Sequence, residues 1–74
     1  MKTVKIGLGI YEHFKGKRYE VVGVGKNSET FEELVVYRAL YGKNDLWVRP
    51  LGMFLDKVEF GGRKVLRFRY LQKI

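Results

Sequence analysis

No cysteine occurs among the 74 residues, so disulfides, thiolate metal centres and thiol nucleophiles are excluded. Histidine and serine occur once each, as His13 and Ser28. No Gly-x-Ser-x-Gly elbow surrounds Ser28, which argues against a Ser-His-acid hydrolase. A metal site built on His13 with Glu29, Glu32 or Glu33 would have one nitrogen ligand and no second histidine at helical spacing. His13 therefore reads as a strand residue packed beside a hairpin, and no metal or other cofactor is expected. The apolar runs are far too short to cross a bilayer, and the start of the chain lacks the apolar stretch of a secretory signal. No membrane partner is expected, and the expected location is cytoplasmic. Proline occurs once, as Pro50, so turns fall mainly to the nine glycines.

What is present is core material and positive charge. Hydrophobic residues make up 46% and aromatic residues 15%, too much for a disordered chain. The length allows one domain, residues 1–74. Fifteen Lys and Arg against eight Asp and Glu give a net charge of +7, a balance that favours polyanionic partners or simply keeps a small protein soluble.

The dominant period is two. Tyr19–Val24, Leu34–Leu40, Leu46–Arg49 and Val65–Leu71 are rich in β-branched and aromatic residues and lie between turn clusters, so they read as strands. Thr30-Phe31-Glu32-Glu33 has the form of a capping box and predicts a short helical turn. Pro50-Leu51-Gly52-Met53-Phe54 predicts another, because proline is preorganised for a helix start. For the last hairpin, a three-residue loop Gly61-Gly62-Arg63 would align Val58 and Phe60 with Leu66 and Phe68 on one face. That register is expected if the buried face decides it.

Five or six short strands of this kind cannot leave one hydrophobic face bare. The expected fold is all-β: a small SH3-like antiparallel barrel with one or two short helical turns. Its expected core is Ile10, Phe14, Val21, Val35, Tyr37, Leu40, Val48, Phe54, Val58, Phe60, Leu66 and Phe68.

Charge is uneven along the chain: residues 1–19 carry five basic residues against one acid, residues 60–74 five against none, and residues 27–45 two against four. If the terminal strands are neighbours, Lys5, Lys15, Lys17, Arg18, Arg63, Lys64, Arg67 and Arg69 converge into a patch that attracts phosphate backbones. Trp47-Val48-Arg49-Pro50 offers a second feature. With Leu46 and Val48 inward, Trp47 and Arg49 point outward together, suited to stacking on a base or gripping a peptide; with Trp47 inward it is the largest core residue. Periodicity in so short a strand leaves both readings open. Tyr11, Tyr37 and Tyr41 could complete an aromatic groove, although each taken singly reads better as a half-buried core residue with its hydroxyl on the rim.

Several segments in order, Gly9-Ile10-Tyr11-Glu12-His13-Phe14-Lys15-Gly16, Tyr19-Glu20-Val21, Ser28 to Tyr37, Leu46-Trp47-Val48-Arg49-Pro50, Met53-Phe54 and Arg67-Phe68, resemble the small bacterial domain-of-unknown-function family 1653. The resemblance spans residues 7–70. It implies an SH3-like barrel and no established activity, and it singles out Tyr11, His13, Glu29, Thr30, Tyr37, Trp47, Arg49 and Phe54. Where many members carry histidine this chain has Asn27, which leaves no histidine pair for a metal.

The expectation is a non-enzymatic binding module, a monomer or weak homodimer. Its partner would be RNA or single-stranded DNA, held by Tyr11, His13, Tyr37, Arg38, Trp47 and Arg49 with the basic patch beside them. The competing expectation is a protein partner whose extended peptide enters the aromatic groove. An enzyme using His13 and Glu29 is disfavoured, since His13 has no evident orienting partner in the sequence.

Overall fold

Glycine and proline positions, more than strand propensity, decide how the strands connect. The computed structural model describes residues 6–73. Its elements run β1 (Gly9–His13), β2 (Arg18–Lys26), β3 (Glu33–Ala39), β4 (Leu46–Pro50), α1 (Leu51–Phe54), β5 (Lys57–Phe60), β6 (Arg63–Leu66) and β7 (Phe68–Gln72). The class is all-β as expected, with seven strands among the described residues because Val65–Leu71 does not form one continuous strand. Its break lies at Arg67, whose N–H donates to the Asp56 carbonyl at 3.0 Å and whose carbonyl accepts from Phe14 at 3.0 Å.

Five strands form one antiparallel sheet in the order β4-β3-β2-β1-β7, and β5 and β6 form a separate hairpin. The terminal strands β1 and β7 are neighbours, as expected, with His13 opposite Phe68 and Tyr11 opposite Tyr70. The ladder is not continued between β7 and β4; α1 lies across the inner face of the sheet instead. Gly9 permits the close approach of β7: its φ is +143°, and a Cβ there would stand 2.3 Å from the Gln72 carbonyl oxygen.

Directly paired residues share a face. Tyr37 lies opposite Val21 on β2 and opposite Trp47 on β4, while Val35 lies opposite Arg49. One face of the sheet therefore carries Tyr11, Tyr19, Val21, Val35, Tyr37, Trp47, Arg49 and Phe68. Pro50, at φ −52° and ψ 138°, turns the chain from β4 straight into α1, whose Leu51 and Phe54 are buried. Phe54 stacks flat on Phe68 at 4.1 Å and meets Tyr11 and Tyr37 edge-on at 5.4 Å, covering the middle of the core cluster on the inner face.

Three expectations are corrected. The Thr30 capping box starts no helix. Asn27 Oδ1 accepts from the N–H groups of Glu29 and Thr30, Thr30 Oγ1 accepts from Glu32, and Phe31 is left-handed at φ 63°, so side chain to backbone bonds make a polar turn instead. The β5–β6 loop has two residues, not three. Gly61 and Gly62 have φ 62° and 79°, pairing Val58 with Val65 and Phe60 with Arg63. Turn chemistry outweighs the apolar face because that face is little covered, Phe60 remaining 52% exposed.

The third correction is the core. Val21, Val35, Tyr37, Phe54 and Phe68 are buried as expected, joined by Tyr11, Ala39 and Leu51. Ile10, Phe14 and Val58 are half-buried, while Leu40, Val48, Phe60 and Leu66 are exposed. Val48 is 61% exposed because it pairs with Val36 on the outer face of an edge strand, where no layer covers it. No described helix is long and apolar enough to cross a membrane.

Candidate functional site

Beyond α1, at the β4 end of the inner face, lies a cleft of about 200 Å³ lined by Tyr19, Tyr37, Tyr41, Trp47 and Arg49. Tyr19 enters from β2, Tyr37 from β3, and Trp47 and Arg49 from β4, all by register. Tyr41 comes from the β3–β4 loop. That loop is held by Asn44, whose Nδ2 donates to the Ala39 carbonyl at 3.0 Å and whose N–H donates to the Tyr41 carbonyl at 3.1 Å. Gly42 and Asn44, at φ 58° each, supply the left-handed turns the loop needs.

Inside the cleft the polar atoms are linked in pairs. Tyr19 and Tyr41 share a hydrogen bond between hydroxyls, and Arg49 donates through Nε to the Tyr37 hydroxyl at 3.3 Å. Burial, then the Tyr41 hydrogen bond, pushes the Tyr19 phenol up to about 12, so it remains protonated at neutral pH. Lys17 Nζ stands 4.6 Å from the centre of the Tyr41 ring, a cation–π contact at the rim.

Arg49 is the guanidinium that lines the cleft. It lies 5.8 Å from the centre of the Phe68 ring and, among the described residues, makes no ion pair. Arg67 is tied to Asp56 by two hydrogen bonds of 2.7 and 3.3 Å. That hydrogen bond holds the Asp56 carboxyl below its ordinary value and raises Arg67. Arg69 donates to Glu12 at 2.7 Å, with Arg18 a further 3.9 Å ion-pair partner of the same carboxylate.

His13 stands behind Tyr19, edge-on to Phe68 at 5.0 Å. Its Nδ1 accepts from the Lys15 N–H at 3.1 Å, which leaves the proton of the neutral ring on Nε2. Burial, followed by the charges of Arg49, Arg67 and Lys15, lowers its pKa from the ordinary 6.5. The unfolded chain consequently binds this proton more readily than the folded one. Folding stability is expected to be at its full value above the ordinary pKa and to fall as pH drops through it toward the lowered folded value. Urea midpoints between about pH 8 and about 5 check this: the wild type declines below about 6.5 and His13→Gln loses that part of the decline.

The structure thus brings Tyr37, Trp47 and Arg49 together, with His13 behind them. Tyr11 is kept apart, its hydroxyl donating to the Gly7 carbonyl at 2.8 Å while its ring packs on Phe54 and Tyr70. Arg38 lies on the opposite face, where it pairs with Glu20 and Leu46. Of the basic residues, Lys17 borders the cleft, Arg18 and Arg69 flank Glu12, Arg67 is tied to Asp56, Lys15 sits on the β1–β2 turn, and Arg63 and Lys64 are on the β5–β6 hairpin. Lys5 lies outside the described residues.

Both readings of Trp47 are partly met. It faces inward, on the Tyr37 side, yet is 50% exposed because α1 does not reach it. Tyr19 and Asp56 were missed in the sequence. Two-residue spacing from Val21 marks Tyr19 as an inner-face residue, whereas nothing local connects Asp56 with Arg67. Among the described residues no group of three His, Asp or Glu side chains could hold a metal ion.

The five-stranded sheet, the helical turn packed on its inner face and the separate β5–β6 hairpin define a small antiparallel β domain. The chain belongs to the family described as a protein of unknown function (DUF1653), whose model matches residues 9–70. A solved structure of a protein of the same family, from Bordetella bronchiseptica, is similar at TM-score 0.86 and 30% identity, over 95% of this chain and 92% of that one. No curated protein matches the chain.

Proposed function

We propose that this domain is a non-enzymatic module that binds single-stranded nucleic acid, RNA or single-stranded DNA, in the Trp47–Arg49 cleft. The observation that carries this reading is a half-exposed tryptophan beside an arginine with no ion-pair partner among the described residues, in a cleft walled by tyrosine. Aromatic faces and an accessible guanidinium are what unstacked bases and their phosphates require. Lys17 at the rim and the net charge of +7 add a long-range attraction. In this reading the curled sheet is an SH3-like barrel left unlaced between β4 and β7, working in the cytoplasm.

Because the chain has one tryptophan, its fluorescence reports the cleft directly. Titration with a short mixed-sequence single-stranded RNA is expected to quench Trp47 at low salt, and binding is expected to fall steeply at moderate salt. Amide shifts in the same titration should centre on Trp47, Arg49 and Lys17. Absence of any change at low salt would sink the proposal.

One observation favours a second reading. β4 is an edge strand whose Leu46, Trp47 and Val48 are exposed, an arrangement that accepts an extended peptide by strand addition. Binding of that kind would tolerate salt and shift the β4 backbone amides.

A further inference from the structure

Resting on that reading, we infer that the cleft takes a single unstacked nucleotide, its base against Trp47 and its phosphate on Arg49, and not a run of stacked bases. The first reason is the number of ring faces on offer. Tyr19 is engaged edge-to-face with Tyr37 at 5.3 Å, with Tyr41 at 5.5 Å and with Phe68 at 5.7 Å. Tyr37 meets Phe54 and Phe68, each at 5.4 Å. Lys17 stands over the Tyr41 ring. Trp47 is left as the broad face open to a ligand, and one face stacks one base.

The second reason is the number of charges. Near the inner face Arg67 is ion-paired with Asp56, while Arg18 and Arg69 share the single Glu12 carboxylate on the opposite face of the sheet. Arg49 spends Nε on Tyr37 and has its remaining N–H donors free of any carboxylate among the described residues. A guanidinium with two free terminal nitrogens fits one phosphate. Size agrees. A cleft of about 200 Å³ is smaller than the roughly 300–1,000 Å³ of pockets that enclose drug-sized ligands, so it accommodates a single ring system.

The third reason is polar complementarity. The Tyr19 and Tyr41 hydroxyls have two protons between them and spend one on each other. The other is available to a carbonyl or ring nitrogen on the edge of a base. The ligand class is therefore a nucleoside with one phosphate, occurring as an exposed nucleotide of a single strand. Bases beyond it are held only by the diffuse attraction of the lysines.

The test is competition, read by Trp47 fluorescence on the full chain at moderate salt. Uridine and adenosine 5′-monophosphates are titrated against the bound single-stranded RNA, alongside the parent nucleosides and inorganic phosphate. The monophosphates are expected to displace the RNA completely, with nucleoside and phosphate each at least about tenfold weaker. In Arg49→Gln the monophosphate should lose its advantage over the nucleoside while retaining quenching by both. If the RNA quenches and millimolar monophosphate fails to displace it, the single-nucleotide site is overturned although nucleic-acid binding stands. If neither RNA nor monophosphate perturbs Trp47, both fall.

Discussion

Replacing Phe54 with alanine is expected to remove about 3–5 kcal/mol of folding stability, the usual cost of deleting a buried aromatic side chain. For a domain of this size each kcal/mol lowers the thermal midpoint by about 4–8 °C, so the midpoint should fall by at least about 12 °C. The reason is topological as much as volumetric. Phe54 is 1% exposed and joins α1 to three strands at once, through Tyr11 on β1, Tyr37 on β3 and Phe68 on β7. Since the ladder does not run between β7 and β4, this side chain is a main link across the opening. Phe60→Ala is the informative control. Sequence pattern puts Phe60 in the same core, but it is half exposed on the outlying hairpin, so its loss should stay within about 1 kcal/mol. Differential scanning calorimetry on both variants checks the contrast; equal losses would mean that the hairpin is as firmly part of the core as α1.

The largest expected effect on binding comes from Trp47→Ala. Base–aromatic stacking is worth about 1–3 kcal/mol per base, which corresponds to roughly five- to 150-fold weaker binding of single-stranded RNA. Stability should hardly change, because Trp47 stands on an edge strand with half its surface already in water. The variant lacks the fluorescent reporter, so its affinity is measured by anisotropy of a labelled RNA. Trp47→Phe should recover much of the loss, as a ring face is retained. A peptide-binding module would instead show RNA affinity indifferent to Trp47 and dependent only on total charge.

These two residues mark the division between what is legible along the chain and what is not. Strand identity is local: alternation in Val35, Tyr37 and Ala39 identifies β3 and its buried face without knowledge of its neighbours. The turn into α1 is equally local, since Pro50 fixes its own backbone. The Gly61-Gly62 turn is local as well, but it competes with the apolar pattern, and the outcome depends on how much burial the rest of the fold provides. The capping-box signature at Thr30 was overridden from three residues away by Asn27, whose side chain satisfies the same N–H groups in a turn.

The sequence by itself determined the all-β class, the antiparallel strands, the helical turn after Pro50, the absence of thiol chemistry and the basic, aromatic character of the surface. Those follow from residue type and short-range order. Only the tertiary structure decided that α1 packs over Tyr11, Tyr37 and Phe68 and leaves Trp47 half exposed. Only it decided that Asp56 pairs with Arg67 while Arg49 makes no ion pair among the described residues, and that Arg38 lies on the opposite side of the sheet from Tyr37, Trp47 and Arg49. Each depends on which strand pairs with which, and at what register. A shift of one residue would turn Trp47 and Arg49 to the outer face and bring Val48 in, although not one residue of the chain had changed.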